Sequence, residues 1–467
     1  MKNKRFSGIS LALIPIIFRL AWPTMLEQFM QTAVQYIDTA MVGSLGTEAT
    51  AAVGATSTVN WLVNSTVSAV GVGFLAMISR FCGAGDKDSA ARTVSQATLA
   101  VLFTGILFTV LPLSLSGMVP VWMNADPAIR KTSSLYFFIL YTPMLFRAAS
   151  SIYGTALRAA GDTKTPMRVA VGVNIVNVCL NFLMIYPTRE VSLFGLAVTL
   201  PGFGWGVIGA AVASAIAYAC GGICITLAVW RHPVVSPKGR SLRPDPAILR
   251  PCLKIAFPNM LQRFGTSLGY VVFASMINSL GEISTAAHTI ANTVESAFYV
   301  PGYGMQTAAA TLSGNAYGAR DNKQMKELAK VIVLVEVCLM TVSGALLYLF
   351  APAMMGLFST ESAVILLGTP VLRMVAVSEP FYGISIISEG MMQGVGHTVV
   401  PFVYGLCYMW RVRIGGTFVT VRLMGLGLTA AWGCMIAHNM TLFILLGIHY
   451  LRGKWNPLRS GQDVSPA

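Results

Sequence analysis

Residues 23–46, PTMLEQFMQTAVQYIDTAMVGSLG, are answered by residues 258–281, PNMLQRFGTSLGYVVFASMINSLG. The two stretches lie 235 residues apart, and the same spacing holds well beyond them. Ala51 and Ala52 return as Ala286 and Ala287, Gly83 and Asp86 as Gly318 and Asp321. Gly161, Thr163 and Pro166 return as Gly396, Thr398 and Pro401. One offset sustained over about 140 residues marks an internal duplication. The spacing changes once: Gly206 and Ala210 answer to Gly427 and Ala431, which leaves the first copy a longer outer hairpin between Tyr186 and Trp205. Within this frame one mismatch stands out. Asp38 of the first copy is opposite Phe273 in the second.

The solvent of these copies follows from composition. Of 467 residues, 55% are hydrophobic and 11% charged, with a mean hydropathy of +0.67; a soluble domain carries about 25% charged residues. Lipid is therefore the expected surroundings. Twelve apolar spans are read at 13–42, 50–78, 93–117, 133–157, 166–187, 206–230, 252–279, 286–312, 328–351, 364–392, 400–422 and 427–450. Lys and Arg gather in alternate connections. Lys2, Lys4 and Arg5 begin the series, and clusters follow at 80–92, 158–168, 231–254, 320–330 and 452–459. The positive-inside rule then puts both termini in the cytoplasm of a multi-pass cell-membrane protein. The net charge of +14 is thus a topology signal, and nucleic acid is not an expected partner. The basic N-terminus is read as retained structure rather than a signal peptide, because Arg19 interrupts its apolar run and the repeat already starts at Pro23.

Six spans per copy is an even number, so both copies enter the membrane the same way round. Parallel repeats of this kind are related by an axis along the membrane normal. The expected fold is all-α and integral to the membrane: twelve transmembrane helices in two six-helix lobes, residues 1–230 and 251–467, joined by a cytoplasmic linker at 231–250 rich in Pro and Arg. Such a pair of bundles suits a substrate path between them and alternating access by rocking. The eight cysteines show no metal spacing, and the five histidines form no cluster of the kind a membrane-embedded enzyme needs. No enzyme activity and no cofactor are expected.

Chemistry concentrates in the first copy. Thr24, Gln28, Gln31, Gln35 and Asp38 follow at steps of three and four, which stacks them on one helix face. That face must look into protein or a wet cavity, since a lone carboxylate is costly in hydrocarbon. A carboxylate so placed takes a proton or a monovalent cation such as Na⁺, or else sits in a static pair with Arg147, the deeply placed base of this half. Glu27 is an alternative partner for Arg147. Asn174, Asn177 and Asn181 share a face of the fifth span, and Asn60 and Asn64 a face of the second; they read as further members of a polar cavity or as helix–helix glue. In the second copy Glu295 and Glu379 lie deep in their spans. Pairing with Arg263 or Arg373 is the expected fate of such carboxylates, and lining a path for cationic substrates is the alternative. Twenty-four Met would suit an adaptable pocket.

YIDTAMVGSLGTEATAAVG at 36–54, LRAAGDTKTP at 157–166, SLGEISTAAHTIANTVESAF at 279–298 and AWGCMIAHNM at 431–440 together resemble the multidrug and toxic compound extrusion (MATE) transporters, and the likeness extends over nearly the whole chain. The resemblance implies two six-helix lobes exporting mostly cationic drugs or toxic metabolites against entry of H⁺ or Na⁺. By position Asp38 matches the family's first-span acid, Asn177 an Asn of its fifth span, and Asn181 a place held by Asp or Asn. Pro23 matches a first-span Pro that lets the helix bend. Where one branch has acids for a second-lobe sodium site, this chain has Phe264-Gly265-Thr266 and Tyr382. The expected function is a secondary active antiporter, acting as a monomer in membrane lipid on a small, cationic amphiphilic substrate. The alternative is a lipid-linked oligosaccharide flippase of the same superfamily, kept open by Arg147, Arg263, Arg411 and Arg413.

Overall fold

The computed structural model describes residues 12–123, 125–193 and 196–459, apart from the side chains of 190–200. Lys2, Lys4, Arg5 and both termini, on which the topology reading partly rests, lie outside these residues. The first copy runs α1 (Leu13–Gly43), α2 (Thr47–Gly83), α3 (Lys87–Leu115), the short α4 (Val119–Trp122), α5 (Pro127–Tyr141), α6 (Met144–Ala159) and α7 (Lys164–Met184). An antiparallel hairpin, β1 (Pro187–Leu193) with β2 (Leu196–Phe203), fills the long connection before α8 (Gly206–Arg231). The second copy runs α9 (Pro246–Asn278), α10 (Glu282–Gly318), α11 (Asn322–Phe358), α12 (Ser362–Gly394) and α13 (Val399–Tyr408). The last of these continues as π-helical turns at Met409–Ile414 and Phe418–Leu423 around the three-residue α14 (Gly415–Thr417), and α15 (Leu428–Leu451) completes the copy.

Local chemistry sets these limits. Gly46 and Gly281 take φ of +114° and +101° just before α2 and α10, and Gly161 and Gly396 take +86° and +85° before α7 and α13. These repeat-related turns use the left-handed backbone that glycine adopts without a Cβ penalty. Asp126 accepts the amide of Ala128 at 2.8 Å ahead of Pro127, and Asp321 accepts that of Gln324 at 2.8 Å, so both helices begin on a side-chain cap. Between α5 and α6 the axis turns by 49° at Pro143, whose missing N–H and ring break the helical ladder. Pro23 is buried within an unbroken α1.

Among the described residues seven helices are long and apolar enough to span a bilayer, and the bent α5–α6 pair makes an eighth. Polar side chains dilute the remaining rods. α1, α9 and α10 have 31, 33 and 37 residues, about 46–56 Å at 1.5 Å per residue, against a hydrocarbon core of about 30 Å. With the α13 rod these make twelve, matching the twelve spans. The chain is an all-α, multi-pass membrane protein with a two-lobed repeat fold.

By contacts the chain forms two compact units. One comprises Phe29–Phe74 and Lys87–Leu249; the other comprises the described parts of Met1–Gln28, Leu75–Asp86 and Arg250–Ala467. In the first, residues of the linker lie along α3. Gln96 clamps it by donating to the Arg243 carbonyl at 2.9 Å and accepting the Asp245 amide at 2.9 Å, while Asp88 pairs with Arg92 and Arg240. In the second, small residues bring backbones together: a Cβ on Gly304 would meet the Met25 nitrogen at 2.7 Å. Its core centres on Phe273, Ile277, Leu347, Val371, Val375 and Trp432. Close packing of this kind replaces the hydrophobic drive that lipid cannot supply.

Candidate functional site

α1 and α7 meet at a short chain of polar contacts. The Asn181 amide nitrogen donates to Asp38 Oδ1 at 2.6 Å and also reaches Asn177 Oδ1 at 3.2 Å. Asn177 in turn donates to Ser214 Oγ on α8 at 3.1 Å. Asn177 and Asn181 are buried, whereas Asp38 is half-buried. The four-residue spacing of the two asparagines puts both on the face of α7 turned to α1 and α8. Asn181 Oδ1 is buried without a partner. It and the Asp38 carboxylate are hard oxygen ligands of the type that takes a small cation. Among the described residues no three His, Cys, Asp or Glu side chains gather as a metal cluster.

Asp38 is held by an amide; it does not pair with Arg147. That guanidinium goes elsewhere: Nη2 donates to Asn60 Oδ1 at 3.0 Å and Asn64 Oδ1 at 2.7 Å, and the group lies over the Tyr218 ring at 4.7 Å. Arg147 is buried, and two amide oxygens with an aromatic face give its charge some of what water would. Asn60 and Asn64 therefore form a second polar group around Arg147. Asn174 shares the α7 face but joins neither group by a hydrogen bond; its Nδ2 is buried and unpartnered.

The polar stripe of α1 divides. Thr24 is buried, donating to the Ala21 carbonyl at 2.7 Å and reaching that of Gly304 at 2.9 Å. It is packed as helix–helix glue. Glu27 is buried as well, Gln28 is half-buried, and Gln31 and Gln35 are exposed beyond it. Pro23 sits one residue before the buried Thr24 contact.

In the second copy the expected pairing of Glu295 and Glu379 with Arg263 or Arg373 is not formed. Arg263 donates to Asn259 Oδ1 at 3.1 Å, and Arg373 lies over the Tyr348 ring at 5.4 Å. Glu379 is 1% exposed and Glu336 is fully buried, and neither has a hydrogen-bond partner for either oxygen. Glu389 accepts from Gln262 at 3.1 Å and Gln393 at 3.0 Å, so it is satisfied in place. Phe273, at the repeat position of Asp38, is 1% exposed with the Arg413 guanidinium 4.4 Å over its ring. Two participants went unnoticed in the sequence. Ser214 is one small residue in an Ala-rich helix, and Tyr218 carries no spacing signal.

The MatE family model matches residues 23–183 and 258–419, one match in each copy. A probable multidrug resistance protein NorM of Thermotoga maritima is 26% identical over 94% of this chain and 92% of its own length. A probable multidrug resistance protein YoeA of Bacillus subtilis is 23% identical over 91% of both chains. Among solved structures, a MATE protein in complex with MaD3S superposes with a TM-score of 0.87 at 24% identity, covering 95% of this chain and 96% of the other. A MOP superfamily transporter from Pyrococcus furiosus gives 0.87 at 24% identity, covering 98% and 100%. The duplicated frame, the helices and the two matched halves agree: the chain belongs to the MatE family, the multidrug and toxic compound extrusion transporters.

Proposed function

We propose that this protein is a secondary active antiporter that exports organic cations, drugs or toxic metabolites in exchange for H⁺ or Na⁺. The observation that carries the coupling half is the Asn181 amide on Asp38 at 2.6 Å. The relatives' names as multidrug resistance proteins support the export half. Asp38 is the coupling residue, with Asn177 and Asn181 as its partners. When a proton or Na⁺ occupies the carboxylate, the bond from the Asn181 donor loses its charge assistance and weakens, and the packing of α1 on α7 changes with it. The ion thereby acts on a protein with two arrangements of α1. It shifts the balance only by the difference in its affinity for them. Pro23, without an amide hydrogen for the α1 ladder, is the hinge about which the outer half of that helix moves.

The lobes that exchange access are residues 1–230 and 251–467, linked by 231–250, with both termini in the cytoplasm as the basic connections favour. Substrate binds from the inner side while Asp38 is free of its cation; entry of the cation from outside then accompanies release. The test is dye or drug efflux from proteoliposomes under separate pH and Na⁺ gradients, comparing wild type with Asp38→Asn. Gradient-driven export is expected in wild type and lost in the variant. Equal export by both would remove Asp38 from coupling. Binding of a lipid-linked sugar, with no response to organic cations, would move the reading to a flippase.

A further inference from the structure

A cavity of about 20 Å³ opens within the second copy, and the charges that line it are unusual. Glu295 is 5% exposed and Arg413 is 3% exposed, and neither makes a side-chain hydrogen bond or an ion pair within 4 Å among the described residues. The Arg413 Nε is buried and unpartnered. Buried charges are normally paired, because each is costly to remove from water alone. Here an acid and a base border one space with no direct hydrogen bond or close ion pair between them.

The walls are built for a ligand group rather than for packing. Asn292, Glu295 and Tyr299 line the cavity from one face of α10, at steps of three and four. Tyr382 of α12 stands edge-on to Tyr299, with centroids 6.2 Å apart, and its hydroxyl meets that of Tyr303 at 3.1 Å. Asn439 adds an amide from α15. Arg413 comes from the π-helical turn Met409–Ile414, which widens the α13 rod where the side chain enters; such turns recur at functional sites. Its guanidinium is fixed over the rings of Tyr270 and Phe273 at 4.5 and 4.4 Å. A face-stacked guanidinium keeps its N–H edge free for an acceptor.

We propose that this cavity binds the zwitterionic head of a small aromatic compound, its ammonium on Glu295 and its carboxylate on Arg413, with the tyrosines against its apolar part. The enclosed space, about 20 Å³, is that of one or two water-sized groups, so it takes only charged groups of a ligand and excludes a whole drug. The proposal deepens the export reading and rests on it for its meaning, since the occupant would be a transported substrate or part of one. Neither charge alone explains the site. A purely cationic ligand would leave Arg413 unanswered, and a purely anionic one would leave Glu295 so.

The test measures binding without any gradient, so that coupling through Asp38 does not enter. Displacement of radiolabelled L-phenylalanine is followed on the full chain in nanodiscs, with unlabelled L-phenylalanine, its methyl ester (ammonium only) and its N-acetyl derivative (carboxylate only) as competitors. Wild type and Asp38→Asn are expected to favour the zwitterion by about tenfold or more over either derivative, about 1.4 kcal/mol for each charge recognised. Glu295→Gln should erase the preference over the N-acetyl compound and keep that over the ester. Arg413→Met should do the reverse, and Arg413→Lys, which keeps the charge in case the Met variant does not fold, should weaken the preference over the ester only in part. Equal affinity of wild type for all three, no displaceable binding, or preferences that survive both substitutions would overturn the assignment. Export of organic cations could persist in each of those cases, so the two readings fail separately.

Discussion

The two copies place different chemistry at matching positions. In the first, Asn60 and Asn64 of α2 receive Arg147 of α6, and Asp38 of α1 receives Asn181 of α7. In the second, the places of Asn60, Asn64 and Arg147 are held by Glu295, Tyr299 and Tyr382, and that of Asp38 by Phe273. The guanidinium has moved to another helix, Arg413 of the α13 rod, and covers the ring that replaced the acid. Duplication thus preserved the frame and reassigned the charges. One centre holds a half-exposed acid on an amide relay, the kind of group an ion can reach. The other holds an acid and a base that line one cavity without a hydrogen bond between them.

The contrast is most easily broken at Phe273. If its ring is structural, Phe273→Ala leaves a void beneath Arg413 and lowers stability by about 3 kcal/mol, read as a lower unfolding midpoint in detergent. Asp38→Ala should cost less than about 1 kcal/mol by the same measure, because a half-exposed side chain with one partner gives up little net energy. Similar losses at both positions would mean that Asp38 is structural too.

Function should show the opposite order. Asp38→Asn is expected to reduce ion-driven export about a hundredfold, equivalent to about 2.8 kcal/mol, while Phe273→Tyr leaves coupling within about twofold. A coupling defect in Phe273→Tyr with normal export by Asp38→Asn would invert the assignment of the centres.

Arg147 tests whether the first copy's base belongs to the ion site. Arg147→Met strands the acceptors of Asn60 and Asn64 and should destabilise by about 2 kcal/mol, with the cation dependence of residual export unchanged. A shifted dependence would tie Arg147 to Asp38 despite their different hydrogen-bond partners.

Much of the frame was legible because it rests on chain-local regularities. Apolar length marked the spans, the constant offset marked the duplication, and the extra residues between Tyr186 and Trp205 marked the hairpin that forms β1 and β2. Asp38 with Asn177 and Asn181 was legible as well, since helical spacing put the asparagines on one face and the family likeness joined that face to Asp38. Partner choice between helices was not. Asn60 and Asn64 have the same spacing as Asn177 and Asn181, and nothing in that pattern says which pair meets Arg147. Nor does the sequence tell Arg411, which is exposed, from Arg413, which is buried. That difference depends on a π-helical turn, which adds a residue to the helical period where the pattern shows no break. Glu295 and Glu379 were expected to find bases because isolated buried acids are rare; the distance to Arg263 and Arg373 is a tertiary fact.

The smallest expected effect separates a relay from glue. Asn181 donates to Asp38, while the matching position of the second copy is Gly416, which packs against Cys434 and has no amide to give. Asn181→Leu removes the donor and leaves the Asp38 oxygen free for the coupling cation. A proton no longer competes with an amide hydrogen, so its half-saturating concentration should fall about fivefold, close to the 1 kcal/mol of an ordinary hydrogen bond, whereas Na⁺, which loses the Asn181 Oδ1 ligand, should need a higher one. Maximal export should fall at the same time, because cation binding no longer weakens a bond from α7 and its effect on α1 packing is lost. Asn177→Ala, one step further from the carboxylate, should change the half-saturating concentration by less than about twofold. If Asn181→Leu alters stability but neither export parameter, Asn181 joins helices as intramembrane amides commonly do, and Asp38 acts without a relay.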